Sequence, residues 1–318
     1  MLSERTSTMK ISSVTKIKRT YSRSFIQNKW LYLMMVPGVA FYIIYKYIPM
    51  MGLLIAFQDY NIMKGIMGSP WVGFKHFETI FNSPDFYVLL RNTMVISLYK
   101  IVFGMLPDIA MALALNEIRS PWFKRTIQTI TYAPHFLSWV IIYGLVMAFL
   151  ATDSGLVNQW IRGSGGESIN FLTSNSWFRP LLVLTEIWKD TGFGAIIYLA
   201  ALTGIDPQLY EAAIVDGAGR WKQIWHITLP GIRNVIVLLL LLKIGHILDA
   251  GFGQIYIFLN TRVYETGDII DTWVFRRGLE SMEFSFASAV GFFKSFVGLV
   301  LVLGANKLAK KYSDSGIW

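Results

Sequence analysis

The sequence predicts an all-α integral membrane protein with six transmembrane helices. Two compositional observations support this prediction: only 15% of the 318 residues are charged and 54% are hydrophobic. About a quarter of the residues of a soluble protein are charged, so this chain has too little polar surface for one or two soluble globules. The third observation is that six segments each reach the length of about 20 apolar residues that a helix needs to cross a bilayer.

The six predicted spans differ in character along the chain. The first contains Pro37 and Pro49, which membrane helices tolerate because packed neighbours satisfy the freed carbonyls. The fifth includes the longest aliphatic run, at 235–242. The last carries glycines that either admit a neighbouring helix or are simply tolerated. The spans lie at 30–57, 88–115, 126–150, 179–202, 232–258 and 284–306.

Basic residues indicate the orientation of the chain. Lysine and arginine are concentrated before the first span and in every second connection after it, whereas acidic residues favour the alternate connections. Cytoplasmic segments of membrane proteins carry this excess, so both termini are predicted to be cytoplasmic. Residues 1–29 form a basic arm that contains Arg5, Lys10, Lys16, Lys18, Arg19, Arg23 and Lys29.

Several function classes are disfavoured. The net charge of +9 is concentrated in the arm before the first span, which indicates a cytoplasmic membrane flank and not a nucleic-acid surface. The chain has no cysteine, and its four histidines show no H-E-x-x-H or other metal spacing. It also lacks a G-x-x-x-x-G-K-[ST] phosphate loop. We therefore predict a non-catalytic chain that binds no cofactor or metal and hydrolyses no ATP itself.

Segment 204–231, between the fourth and fifth spans, is predicted to be a helix, a turn and a second helix on the cytoplasmic side. Asp206 suits the N-cap of the first helix, with Pro207 at its first position. Gly217 and Gly219 permit the turn. The second helix is expected from Arg220 to Thr228, followed by Pro230 at the start of the next span.

The spacing in this segment resembles a known signature. Glu211-Ala-Ala, then Gly217, Ile227 and Leu229-Pro230, match the EAA signature of binding-protein-dependent ABC importer permeases. Further segments resemble the carbohydrate-uptake branch, in particular the permeases for oligosaccharides and polysaccharide fragments. They are Trp71-Val-Gly-Phe, Arg91-Asn-Thr, Leu113-Ala-Leu-Asn-Glu, Pro134-His-Phe-Leu-Ser-Trp, Asp153-Ser-Gly-Leu-Val-Asn, Tyr198-Leu-Ala-Ala-Leu and Ile205-Asp-Pro-Gln-Leu-Tyr-Glu-Ala-Ala.

The resemblance covers residues 30–318 and implies the type I ABC importer permease fold for that domain. It implies a multi-pass subunit of the bacterial cytoplasmic membrane that takes up oligosaccharides or polysaccharide fragments. The implied partners are a second, related permease, two ATPase subunits that bind ATP and Mg, an extracytoplasmic solute-binding protein and the lipid bilayer. No nucleic acid is among them.

The resemblance also assigns roles to segment 204–231, which we call the coupling segment. Its first helix is expected to sit in a cleft of the ATPase, with small alanines for close seating and Gly217 for the turn. The residues expected to couple ATP hydrolysis to transport are Glu211, Ala212, Ala213, Asp216, Gly217, Ile227, Leu229 and Pro230.

A second group of polar and aromatic residues lies within spans four to six, where charges are costly unless they serve a purpose. Sugar pathways combine aromatic faces with groups that bind hydroxyls. The expected path residues are Trp188, Lys189, Asp190, His246, Asp249, Gln254, Tyr256 and Lys294. Alternatively, Glu186, Lys189 and Asp190 pair with one another, and Lys100 and Lys294 serve either an acidic sugar or structural ion pairs.

Three other protein classes remain as alternatives: an ion-coupled secondary transporter, a membrane scaffold without a transport path, and an intramembrane enzyme. The coupling-segment spacing argues against the first, polar residues within the spans against the second, and the scattered histidines against the third. The sequence leaves open the sugar, whether it is neutral or acidic, the identity of the partner subunits and the Gram type of the source.

Overall fold

The computed structural model describes residues 28–313, and within that range the chain is helical, without a strand. One isolated antiparallel bridge joins Gln58 to Trp71. The predicted basic arm lies outside the described residues, apart from its last two positions.

The helices follow one another with short connections. They are α1 Lys29–Tyr42, α2 Ile48–Met50, α3 Gly65–Gly68, α4 Lys75–Asn82, α5 Pro84–Glu117, α6 Pro121–Tyr132, α7 Trp139–Leu150, α8 Leu156–Gly163, α9 Asn175–Leu202, α10 Pro207–Val215, α11 Arg220–Gln223, α12 Leu229–Gly231, α13 Arg233–Gly245, α14 Phe252–Phe258, α15 Tyr264–Gly267, α16 Ile270–Phe275 and α17 Phe284–Ser313. π-helical turns occupy Ile43–Tyr47, Ile224–Thr228 and Arg276–Glu280, and 3-10 turns occupy Met51–Phe57, Ala133–Phe136 and Thr261–Val263.

Three predicted spans are continuous helices in the structure. Lys29–Phe57, Pro84–Glu117 and Phe284–Lys311 are each long and apolar enough to cross a membrane. The proline at position 37 lies inside α1 without breaking it, as expected for a membrane helix. Including two bent helix pairs, up to five spans meet the length and composition requirement.

The third predicted span, 126–150, meets the length and composition requirement as a bent pair and not as one straight helix. The segment Pro121–Phe136 and helix α7 are bent by 102° relative to each other. Pro134 removes a backbone donor from the first half, which ends in a 3-10 turn. The Ser138 hydroxyl then caps α7 by accepting a hydrogen bond from the Ile141 backbone N–H at 3.4 Å.

The fifth predicted span, 232–258, is also interrupted. Helix α13 ends at Gly245, and a turn with positive φ at Ala250 (44°) and Gly251 (85°) precedes α14. The sequence predicted that the helix before Pro230 ends at Thr228, but the helical segment continues through the π-helical turn Ile224–Thr228 and α12 to Gly231. The chain then bends by 57° before α13.

The fourth predicted span is the 28-residue helix α9. Because it contains several charged residues, α9 does not meet the apolar-composition requirement for a membrane span. It packs along α5, and Phe178, Leu182, Ala195 and Tyr198 on α9 are fully buried. Surrounding protein, and not lipid, therefore accommodates much of its surface. The core has three apolar clusters, centred on Phe178 with α14, on Trp273 with α17, and on Tyr198 with Ile232.

Candidate functional site

The first arm of the coupling segment is built as the sequence predicted. The Asp206 carboxylate accepts a hydrogen bond from the Gln208 backbone N–H at 3.0 Å and so caps α10, with Pro207 at its first position. N-cap acceptors of this kind satisfy one of the free backbone donors at a helix start. The cap fixes where α10 begins relative to the end of α9.

Gly217 terminates this arm in a left-handed conformation, with φ of 73°. The Ala218 N–H donates to the Ala213 carbonyl at 2.8 Å and the Gly217 N–H donates to the Ile214 carbonyl at 3.0 Å. This pair of bonds is a Schellman motif, which favours glycine because other residues are strained at positive φ. The predicted turn at Gly217 is confirmed, with the glycine conformation that it requires.

The second arm folds back onto the first. The Gln223 side-chain amide donates to the Ala218 carbonyl at 2.9 Å, and the Tyr210 hydroxyl meets the buried Thr228 hydroxyl at 3.0 Å. Only Arg220–Gln223 is α-helical; Ile224–Thr228 forms a π-helical turn, where the sequence predicted one continuous helix. The first bond fastens the second arm to the turn, and the second joins the two arms.

The tip of the coupling segment exposes an apolar surface that the described part of this chain leaves uncovered. Val215 is 87% exposed and Trp221 is 76% exposed, with Leu209, Ile214 and Trp225 also exposed. Among the predicted coupling residues, Glu211, Ala212, Asp216, Gly217 and Pro230 are exposed, whereas Ala213, Ile227 and Leu229 are half-buried. Exposed apolar patches rimmed by polar groups are typical of protein-binding surfaces.

A charged group lies between the interrupted fifth span and α17. The Lys294 ammonium contacts the Asp271 carboxylate and donates to Asp249 at 2.9 Å; we call these three residues the Lys294 triad. His246 Nδ1 lies 3.0 Å from the other Asp249 oxygen. The triad joins the turn after α13, helix α16 and helix α17, and it includes two of the predicted path residues.

A second buried charge lies behind the same turn. Lys100 of α5 contacts Glu186 of α9, the Gln254 side-chain oxygen and, at 2.9 Å, the Ala250 carbonyl. Gln254 in turn donates to the Leu182 carbonyl and the Thr185 hydroxyl, both at 2.8 Å. We call Lys100, Glu186 and Gln254 the Lys100 cluster. Gln254 was predicted as a path residue, but it is fully buried and its amide is used by α9.

Lys189 and Asp190 bind the break in the third span and do not pair with Glu186. The Lys189 ammonium donates to the carbonyls of His135 and, at 2.9 Å, Leu137, which the bend frees from helical bonding. The Asp190 carboxylate lies within hydrogen-bonding distance of His135 Nδ1, at 2.8 Å. The alternative in which these charges pair along α9 is therefore wrong.

The two predicted aromatic path residues lie on different helices, α9 and α14. Trp188 and Tyr256 are both half-exposed, and Tyr256 belongs to an aromatic group with Phe252 and Phe275. Its ring lies 5.3 Å from Phe252 and 4.8 Å from Phe275, measured between ring centroids. The structure brings His246, Asp249 and Lys294 together, and Tyr256 stacks on Phe252, which lines a cavity with Asp249.

Three cavities adjoin the turn after α13, and Asp249 lines all of them. Two have volumes of about 570 and 560 Å³ and share Asp249, Asp271 and Lys294. The third, of about 270 Å³, is lined by Lys100 and Glu186. Within residues 28–313, no group of three or more His, Asp or Glu side chains is arranged to hold a metal ion.

Sequence reasoning missed Asp271, Phe252 and Phe275 at this site. Asp271 lies outside the predicted spans, although an unmatched Lys294 in a span signals a nearby carboxylate partner. The two phenylalanines had no distinguishing signal, because 22 phenylalanines occur in the chain.

The segment after α14 is fastened to α5 and α9 by polar contacts. Buried Asn92 donates to the carbonyls of Glu265 and Asp268, both at 3.0 Å, and accepts from Arg179 at 2.8 Å. Asp268 accepts two bonds from Arg276. Burial lowers the pKa of Arg276, but the Asp268 carboxylate outweighs it and raises that pKa above its usual value. The Arg276 guanidinium therefore stays charged, and its ion pair with Asp268 links the residues on either side of α16, which carries Asp271.

Comparison with known proteins identifies the family to which this chain is related. Residues 100–313 match the family described as binding-protein-dependent transport system inner membrane component. The polygalacturonan/rhamnogalacturonan transport system permease protein YteP of Bacillus subtilis is 51% identical, over 92% of this chain and 91% of that protein. Protein LplB of the same organism is 46% identical, over 92% of each chain.

Solved structures support the same family assignment. A chain of a bacterial alginate ABC transporter, crystallised with an alginate pentasaccharide-bound periplasmic protein, is 40% identical and superposes with a TM-score of 0.85. The match covers 93% of this chain and 99% of that one. The family match and the relatives span nearly all of the helical domain, including both the coupling segment and the cavities. This chain therefore belongs to the family of binding-protein-dependent transport system inner membrane components.

Proposed function

We propose that this chain is one of two related permease subunits of an ATP-driven importer for oligosaccharides or polysaccharide fragments. Two ATPase subunits bind ATP and Mg and supply the energy, and an extracytoplasmic binding protein delivers the sugar. The observation that carries the proposal is the coupling segment: a self-braced helix–turn–helix with an uncovered apolar tip, in a chain of this family. Such a tip is suited to binding a cytoplasmic partner subunit that transmits force to the chain.

The proposed substrate class is inferred from the substrates for which similar proteins are named. One close relative is named for polygalacturonan and rhamnogalacturonan, and a structural neighbour for alginate. All three names denote polysaccharides that contain uronic acids, so oligosaccharides that contain such residues are the first substrates to test.

The uptake experiment uses membrane vesicles that contain the whole importer, with the binding protein added. We expect uptake of galacturonate oligosaccharides to require ATP and binding protein and to stop when the ATPase phosphate-loop lysine is replaced. The replacement is the matched control because it leaves the permease unchanged. Uptake driven by an ion gradient without ATP would instead indicate a secondary transporter.

The proposed topology has six spans, with the bent third span, α9 and the interrupted segment 232–258 each counted as one crossing and both termini in the cytoplasm of a bacterial cell. The chain has no native cysteine, so single introduced cysteines report position directly. We expect a membrane-impermeant maleimide to label Ser164→Cys and Ser281→Cys in intact cells, because both exposed positions lie in predicted external segments. Thr203→Cys, exposed at the end of α9, is expected to react only after lysis. Labelling of Thr203→Cys in intact cells would contradict this orientation.

A further inference from the structure

Asp249 is the most accessible charged group of the Lys294 triad. Its side chain is 54% exposed, compared with 14% for Lys294 and 21% for Asp271. It also stands where all three cavities meet. A molecule that moves among these cavities therefore meets the Asp249 carboxylate before it meets the lysine behind it.

The charges around the cavities leave no lysine without a carboxylate. Lys294 has Asp249 and Asp271, Lys100 has Glu186, and Lys243 lies 4.0 Å from Asp108. The cavity linings hold three carboxylates, Asp249, Asp271 and Glu186, and three lysines, so the ion pairs balance and offer no surplus positive charge to an acidic sugar. A uronate carboxylate placed beside Asp249 would be repelled, since like charges at short range oppose each other.

The chemistry that remains available is hydrogen bonding to hydroxyl groups. A carboxylate accepts charge-assisted hydrogen bonds, and it accepts from two neighbouring hydroxyls at once. Phe252 and Phe275 line the same cavity as Asp249 and offer apolar faces to the C–H face of a sugar ring. His246 Nδ1, at 3.0 Å, holds the second Asp249 oxygen in place.

From this geometry we infer that Asp249 is a specificity-determining residue that binds sugar hydroxyls, and that this subunit recognises the neutral, hydroxylated face of its substrate and not its carboxylates. Selection for acidic sugars then belongs to other subunits. The inference rests on the proposed import of oligosaccharides and adds which chemical groups are recognised.

The test compares binding of trigalacturonate and its methyl ester, in which methylation removes the carboxylate charges and leaves the ring hydroxyls unchanged. Equilibrium dialysis with the intact importer in nanodiscs, without binding protein, removes the selectivity of that protein. We expect Asp249→Asn to weaken binding of both sugars by a similar factor, about tenfold, as expected for the loss of a charge-assisted hydrogen bond. Glu78→Gln is the matched control, since it removes an exposed charge on α4 outside the cavities.

Three results would overturn the inference: unchanged binding of both sugars, tighter binding of the acid alone, or no binding of either sugar to the parent importer. Tighter acid binding would show that Asp249 excludes uronates and does not bind hydroxyls. Copurification of the ATPase subunits with Asp249→Asn verifies that the variant is assembled. Failure of ATP-dependent uptake by the parent importer in vesicles would instead count against the proposed function.

Discussion

Gly217→Pro is expected to reduce ATP-dependent sugar uptake more than tenfold while the chain still inserts into the membrane. Proline fixes φ near −65°, whereas Gly217 requires 73°, and proline also removes the N–H that donates to the Ile214 carbonyl. The Schellman turn is then lost, and the exposed tip of α10 no longer has one fixed position relative to α11. Uptake in vesicles and ATPase activity of the same preparations measure the effect, and we expect hydrolysis to become uncoupled from transport.

Two substitutions provide controls for this experiment. Gly219→Ala is expected to retain uptake, since Gly219 has φ of −68° and an added Cβ would meet no atom within 4 Å. Gly217→Asn is expected to retain most of it, because asparagine tolerates the left-handed conformation. Glu211→Lys, which reverses the charge on the same exposed helix, is expected to behave like Gly217→Pro. Normal uptake by Gly217→Pro would show that the turn plays no part in coupling.

Lys100→Met is expected to cause the largest loss of stability. The Lys100 side chain is only 7% exposed, and its removal leaves the Glu186 carboxylate, the Gln254 side-chain oxygen and the Ala250 carbonyl without their cation. Removing one partner of a buried ion pair typically costs about 3–5 kcal/mol. Thermal unfolding of the detergent-purified importer measures the change, which we expect as a clearly lower midpoint temperature.

A second lysine variant distinguishes the effect of burial on stability from the effect of losing a charge. Lys243→Met removes the same charge from a side chain that is 40% exposed and 4.0 Å from its partner, so we expect a much smaller shift. The double variant Lys100→Met with Glu186→Gln is expected to regain part of the stability, because no unpaired carboxylate remains. Equal effects of the two single lysine substitutions would argue against the Lys100 cluster as a structural centre.

Local chemistry made some features predictable from the sequence. Asp206-Pro207 and Gly217 specify a cap and a left-handed turn through bonds within a few residues, and both are found. The long apolar segments of α5 and α17 were predictable because lipid imposes their length. The likeness of the coupling segment to a family signature rested on the same local features.

Features that depend on distant contacts were not predictable. The bend at residues 137–138 persists because Lys189, some fifty positions later, binds the freed carbonyls. The interruption of the fifth span likewise depends on Lys100, which binds the Ala250 carbonyl from α5. Asp271 contacts Lys294 of α17, and the segment before α16 is bound by Asn92 of α5 through the Glu265 and Asp268 carbonyls. None of these partners is signalled by neighbouring sequence.

Helix α13 joins the coupling segment to the turn that carries Asp249. It has 13 residues, so its length is about 20 Å at a rise of 1.5 Å per residue. Both of its ends are articulated, by the bend at Ile232 and by the turn at 246–251. It therefore has the form of a lever: a 10° tilt about Ile232 displaces the far end by about 3.5 Å. That displacement exceeds the 2.9 Å length of the hydrogen bond between Lys294 and Asp249, so a tilt of this size directed away from α17 would separate the two side chains.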